Sequence, residues 1–598
     1  MSPSSPPLDL RRPRLGPITL QAFLLTLMGL LLVLPILLAV GDGFYHEKRF
    51  SLEWLVRTLK DRRYLGQLGS GLLLACCTTL LSMLIALPPA VLRGRCRFAG
   101  SGVLGMLMLV PMILPPFVGA LSMRHLLGQF GAINLLLDKI GVLDFSRSMP
   151  PDYLGSGFAG VAILQALHLF PILYLNASAA LASVDPAYAQ AARNLGAGPW
   201  AAFRHVTLPL IRPGLFAGAT IVFIWSFTDI GTPAMLGYNE LAPVTVFKEL
   251  ARSETTPTVY TLVFVLLGGS VSLYVLGKFL FGRESQASMT KASQSVSLRP
   301  LGLAGTLGAW ALFGTIIFAA LLPHVGVVLT AFSSRWVNTV LPSVYTLDHL
   351  RFVLTRSETL SSIKNSLFYS GVSTAADLAL GLAAAWLIVR TRLRGRMLLD
   401  SLVMLPLAVP GLIVAAGYVA MTAGDITLPS FHLFWPLNHY VIPAITIPLT
   451  AISPAGKFTF VLLIVAYTVR RLPFAVRGIS AGLQQVPPVL EEAARNLGAT
   501  PARTLAGITL PLILANIIAA GVLTFAFAML EVSDSLILAQ RPEVFPITRE
   551  IYQQASSGSP DAANVASALG VYGMILLGGT LALASALMGK RLGAIFRA

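Results

Sequence analysis

A chain of 598 residues would ordinarily divide into several water-exposed domains, but 55% hydrophobic and only 12% charged residues leave too little polar surface to cover them. With a mean hydropathy of +0.75, much of the chain must have a bilayer as its solvent. The net charge of +17 does not mark a nucleic-acid binder, because Lys and Arg gather in short segments between apolar runs, where they report topology.

The first seventeen residues carry Arg11, Arg12 and Arg14 and precede an apolar stretch that is longer than a signal-peptide core and lacks an obvious cleavage site, so 18–41 reads as a retained first span. Runs of membrane-spanning length follow at 69–92, 101–124, 157–184, 213–236 and 258–282, then at 301–331, 363–390, 397–422, 458–483, 516–540 and 564–588. They are too continuous for the alternating strands of a membrane barrel. The expected fold is therefore all-α and integral to the membrane, with about twelve helices. Placing the N-terminus inside puts more Lys and Arg on the cytoplasmic side than outside, and leaves both termini cytoplasmic. Cys76 and Cys77 lie within a span and Cys96 in a short basic loop, which implies no disulfide framework. The eight histidines lack ligand spacing, so no metal site is expected from them.

The chain repeats itself. Residues 190–211 and 492–513 agree at 13 of 22 positions with an offset of 302. Arg93-Gly94-Arg95 answers Arg394-Gly395-Arg396, and Pro111 and Pro115 answer Pro406 and Pro410. Each half holds six spans, an even number, so the halves insert the same way up about a pseudo-twofold axis along the membrane normal, with a pathway between them. The organisation expected is a cytoplasmic segment 1–17, a first repeat 18–282, a polar Ser-rich cytoplasmic linker 283–300, a second repeat 301–590 and a cytoplasmic tail 591–598. The prolines of each third span are expected to bend it.

The repeated segment falls between the fourth and fifth span of each half, on the side assigned to the cytoplasm. Alanines beside an acidic or amide residue start a short helix, Gly198-Pro199 or Thr500-Pro501 breaks it, and a Leu-Pro pair turns the chain into the next span. The second copy, Glu492, Ala493, Ala494, Gly498, Ile508, Leu510 and Pro511, resembles the EAA loop of permease subunits of binding-protein-dependent ABC importers. The first copy keeps Ala191, Ala192, Gly196, Leu208 and Pro209 but has Gln190 and Val206 where the pattern has Glu and Ile. The bland alternative is a buried amphipathic re-entrant turn without a partner.

The resemblance implies a type I ABC importer permease fold, in a bacterial inner membrane, whose two loops dock into two ATPase subunits. No phosphate-binding G-x-x-x-x-G-K-[ST] motif occurs, so ATP and Mg would be held by partner ATPases and this chain binds no cofactor and hydrolyses nothing. Extracytoplasmic segments of at most about 35 residues are too short for a two-lobed receptor. A separate solute-binding protein is implied by the resemblance. The stretches FTDIGTPAMLG and EVSDSLILA look like the ferric-iron branch of the family, which is also similar to permeases for 2-aminoethylphosphonate, thiamine, sulfate and polyamines.

Four acids lie inside or at the ends of spans: Asp229, Asp377, Glu531 and Asp534. Asp229 and Glu531 are repeat-equivalent and are expected to approach the axis near the outer end of the pathway, with Asp534 beside them. Alternatively they cap helices or satisfy backbone donors in a re-entrant segment. As paired acids they favour a cationic cargo over an oxyanion. The reading from another class is an ion-gradient-driven secondary transporter using these carboxylates for coupling, which leaves the repeated loop unexplained.

Overall fold

The computed structural model describes residues 15–46, 49–145, 149–154, 157–251, 256–281, 299–428, 431–435, 438–442 and 445–588. Among them nine helices are long and apolar enough to cross a membrane: Gly16–Asp42, Arg62–Arg95, Phe158–Ser183, Pro199–Thr228, Leu303–Ala331, Ser357–Arg390, Thr459–Gln485, Pro501–Met529 and Ala562–Ala582. Two further helix pairs, Ser101–Ile113 with Pro116–Lys139 and Arg396–Ala408 with Gly411–Met421, are bent by 94° and 104°. With the helix Pro257–Phe281 these make twelve spans, numbered here first to twelfth in chain order.

The third and ninth spans do more than bend, and proline explains where they break. Leu114 and Val409 each precede a proline and are extended, at ψ 127° and 124°. The ring of the following proline clashes with the helical conformation of its predecessor. Pro116 then starts the next helix, where a missing N–H costs nothing.

The fifth and eleventh spans depart from the expected 213–236 and 516–540. They begin at Pro199 and Pro501 and stop at Thr228 and Met529, and short helices Gly231–Leu236 and Ser533–Leu538 follow the breaks. The Leu-Pro pairs do not turn the chain, as the sequence suggested. Each lies inside a continuous span, just after a five-residue π-helical turn, Phe203–Thr207 or Leu505–Thr509. The missing N–H of Pro209 or Pro511 falls where the widened turn gives way to α-helix, just after Leu208 or Leu510 has closed the turn onto Phe203 O or Leu505 O.

The halves clasp each other through exchanged first spans. The first span lies on the second half, where Gln21 Nε2 donates to Arg394 O at 2.8 Å and Tyr418 Oη to Leu31 O at 2.7 Å. The seventh span does the same on the first half, where it receives Ser122 Oγ on Pro323 O and donates Trp310 Nε1 to Ala99 O, both at 3.0 Å. One apolar cluster accordingly mixes Leu32 and Ala39 with Tyr418, Leu462 and Leu538. Small residues permit these approaches: a Cβ on Gly417 would overlap the Pro35 backbone.

Gly417→Val is expected to push the first span off the ninth and to cost about 1–3 kcal/mol, the usual range for overpacking. A drop in the thermal unfolding midpoint of the purified chain checks it. Gly314→Val is the matched control, since a Cβ there meets nothing within 4 Å.

Candidate functional site

Both repeated loops form the same exposed structure. Helices Pro186–Asn194 and Pro488–Asn496 end in glycines with left-handed backbone, Gly196 at φ +88° and Gly498 at φ +86°. In the first, Ala197 N donates to Ala192 O at 3.0 Å and Gly196 N to Arg193 O at 2.9 Å. In the second, Ala499 N donates to Ala494 O and Gly498 N to Arg495 O, both at 3.0 Å. This paired closure satisfies the last carbonyls and requires the positive φ that glycine supplies without strain. Gln190, Ala191, Glu492 and Ala493 are exposed, Ala192 and Ala494 half-buried, and the leucines before the glycines, Leu195 and Leu497, are each 89% exposed. Leu208, Pro209 and Leu510 are half-buried where the spans begin, and Pro511 is exposed.

The acid that anchors the second loop is Glu491 rather than its exposed neighbour Glu492. Glu492 is exposed and makes no ion pair with Arg495 among the described residues. Its neighbour Glu491 is 5% exposed, bound by Arg390 Nε at 3.0 Å and by the Thr509 hydroxyl at 3.2 Å. The first copy has Ala189 in its place, and there the equivalent Thr207 hydroxyl is hydrogen-bonded by Arg95 instead. The loops share an outline and differ in what fastens them.

A cavity of about 140 Å³ lies between the halves, walled by the third, fourth and fifth spans of the first and their counterparts in the second. Phe117, Gln165, His168, Trp225 and Asp229 face Pro410, Arg470, Arg471, Phe527 and Glu531 across it. Trp225 and Phe527 are 302 residues apart, hence repeat-equivalent, and their rings meet edge to face at 6.3 Å. Two equivalent residues in contact must straddle the pseudo-twofold axis, which therefore passes through this cavity.

Asp229 and Glu531 both sit in the breaks that end the fifth and eleventh spans rather than within helices. Asp229 accepts from Gly231 N at 3.0 Å and from Gln165 Nε2 at 2.9 Å, and Ser226 Oγ fixes Gln165 Oε1 at 2.6 Å. Its carboxylate thus lines the cavity and also satisfies a freed backbone donor. Glu531 is held differently. Arg470 Nη1 reaches its Oε1 at 2.6 Å, and Arg471 grips Oε2. Asp534 does not line the cavity; fully buried behind Glu531, it receives Arg470 at 3.4 Å. Asp377 is fully buried in the eighth span, and neither carboxylate oxygen has a hydrogen-bond partner among the described residues.

Sequence reasoning missed Arg470 and Arg471, although two adjacent arginines inside an apolar run are as costly as the acids and the repeat aligns them with His168 and Leu169. It also set His168 aside as scattered, whereas its Nδ1 lies 3.0 Å from Pro111 O at the break of the third span.

Comparison with known proteins supplies the family. The model of the binding-protein-dependent transport system inner membrane component matches residues 78–286 and, a second time, 377–593. The chain belongs to this family. It is an ABC importer permease with its two halves fused, all-α and multi-pass in the inner membrane. The permease is 25% identical over 532 residues to the ferric transport system permease protein FbpB of Actinobacillus pleuropneumoniae, covering 86% of this chain and 70% of that one. It is 32% identical over 169 residues to the molybdenum transport system permease protein ModB of Escherichia coli (strain K12), covering 27% and 68%. Among solved structures it aligns with a bacterial ABC transporter involved in the import of the acidic polysaccharide alginate, at 19% identity and a TM-score of 0.35, over 48% of this chain and 97% of that one.

Removing Arg390 leaves Glu491 buried without its cation. Arg390→Met in this permease is expected to cost about 3–5 kcal/mol, while the double variant Arg390→Met/Glu491→Met recovers most of the loss. Thermal unfolding of the purified single and double variants checks the cycle.

Proposed function

We infer that this permease passes ferric iron from an extracytoplasmic solute-binding protein to the cytoplasm by alternating access, driven by two ATPase subunits that hold the ATP and Mg. The observation that carries the reading is the pair of exposed, identically closed loops around Gln190 and Glu492. Each presents a rigid knob with a bare leucine at its tip, suited to a groove on a motor subunit, so that closure of the motors pushes the fifth and eleventh spans as rigid bodies. Exposed and without an ion pair among the described residues, Glu492 is placed to meet an arginine of such a partner. The loops, the linker and both termini then lie in the cytoplasm, with 18–282 and 301–590 as the two repeats. Of the linker 283–300, only Arg299 and Pro300 fall within the described residues, paired in parallel with Cys96 and Arg97; the tail 591–598 lies outside them.

The choice of ferric iron rests on the relative matched across both halves. The paired acids do not add to it as the sequence suggested, because two arginines neutralise Glu531. Between the halves, the clasp of exchanged spans lets each move while its first span rides on the other.

Uptake of radiolabelled iron into liposomes holding the permease, its ATPases and its binding protein is expected to require ATP and to survive an ionophore; collapse with the ionophore alone would favour the gradient-driven alternative. Gly498→Asp puts a charge and a side chain at φ +86° and is expected to abolish ATP-driven uptake with membrane insertion intact. Glu492→Gln is expected to be milder, since the first loop already carries Gln190, and equal loss in both variants would contradict that; normal uptake by Gly498→Asp would refute the docking role.

A further inference from the structure

Arg470 and Arg471 are consecutive in the tenth span, and each takes one oxygen of the Glu531 carboxylate. Two guanidiniums on the two oxygens of one carboxylate make a receptor for an oxyanion group, here filled by the protein's own side chain. Three observations set it apart from a simple strut. Receptor and occupant both line the central cavity, so a solute in the pathway reaches them. Arg471 is 6% exposed and its Nε has no hydrogen-bond partner among the described residues, which leaves the receptor an unused donor. The repeat-equivalent positions hold His168 and Leu169, so the fold itself does not demand the pair. The site is also fitted to its place: a Cβ on Gly411, at the break of the ninth span, would overlap the Arg470 guanidinium.

We propose that the Arg470–Arg471 pair recognises an oxyanion group on the transported solute, and that Glu531 occupies this receptor until the solute displaces it. The proposal rests on the importer reading above. Releasing Glu531 without a substitute would leave Arg471 without its carboxylate and Arg470 with Asp534 alone, at 3.4 Å, which is costly, whereas exchanging one carboxylate or phosphate-like group for another conserves the charge in the cavity. A bare cation offers the guanidiniums nothing. Across the cavity, Asp229 is held by the neutral donors Gln165 and Gly231 and suits the cationic part of the same solute. The oxyanion arrives in one of two ways, as a free anion or as the ligand shell of a ferric ion.

The test uses the complete importer in liposomes, with radiolabelled iron supplied alongside radiolabelled citrate, and separately with radiolabelled inorganic phosphate. Joint ATP-driven entry of iron and citrate supports the proposal with the chelate as source, and entry of phosphate supports it with the free anion as source. Iron entering alone overturns it and leaves the importer reading standing; no ATP-driven entry of any label overturns both. Glu531→Gln empties the receptor of its charge and is expected to raise ATP-independent efflux of trapped phosphate about ten-fold, with sodium efflux unchanged. Because that variant strands the arginines and can fail to fold, Glu531→Asp accompanies it, with a smaller leak of the same selectivity expected. Arg470→Gln is expected to lower uptake about ten-fold and Arg470→Lys to restore most of it. Sodium leaking faster than phosphate, or normal uptake in Arg470→Gln, overturns the receptor.

Discussion

Backbone groups freed by a helix break have no water to turn to inside a bilayer, and this permease breaks four spans. That constraint organises the centre of the molecule. The breaks are tolerable because they face one another around a shared cavity, where Asp229 accepts from Gly231 N and Glu531 from Asp534 N, and side chains of the fourth and tenth spans hold those carboxylates in place. Gln165 and Asp229 serve the first half and Arg470, Arg471 and Glu531 the second. The polar cavity is thus the condition under which the broken helices can exist.

The halves meet the same constraint with different chemistry. Hydrogen bonds from neutral donors to Asp229 hold the first half at its break, and a buried ion network holds the second. The loops repeat this contrast, with Arg95 on Thr207 in one copy and Arg390, Glu491 and Thr509 in the other. In an assembly of two identical chains every residue would appear on both sides of the axis. Fusion removes that requirement, so one wall of the cavity can carry an arginine pair that the other lacks.

Much of this was legible in the sequence. The span count, the duplication and the loop pattern follow from run length and from an offset of 302, both properties of the chain itself. Less legible was anything that depends on depth. Asp229 and Glu531 looked helical because the apolar run continues past them into the short helices that follow, and hydropathy does not register a break. Glu491 and Glu492 are adjacent acids, and only helix phase and the position of Arg390 decide which is buried. Arg470 and Arg471 were passed over because a search for acids in spans does not return the bases that neutralise them.

The exchanged first spans also bear on how the chain is made. Gln21 finds its partner at Arg394 only after another 373 residues have been added. At synthesis rates of about 5–20 residues per second, that leaves the first helix for about 20–75 s without the surface it will finally cover. During biogenesis its inner face must be sheltered by lipid or by the insertion machinery, and the first half cannot reach its finished arrangement until the second has entered the membrane.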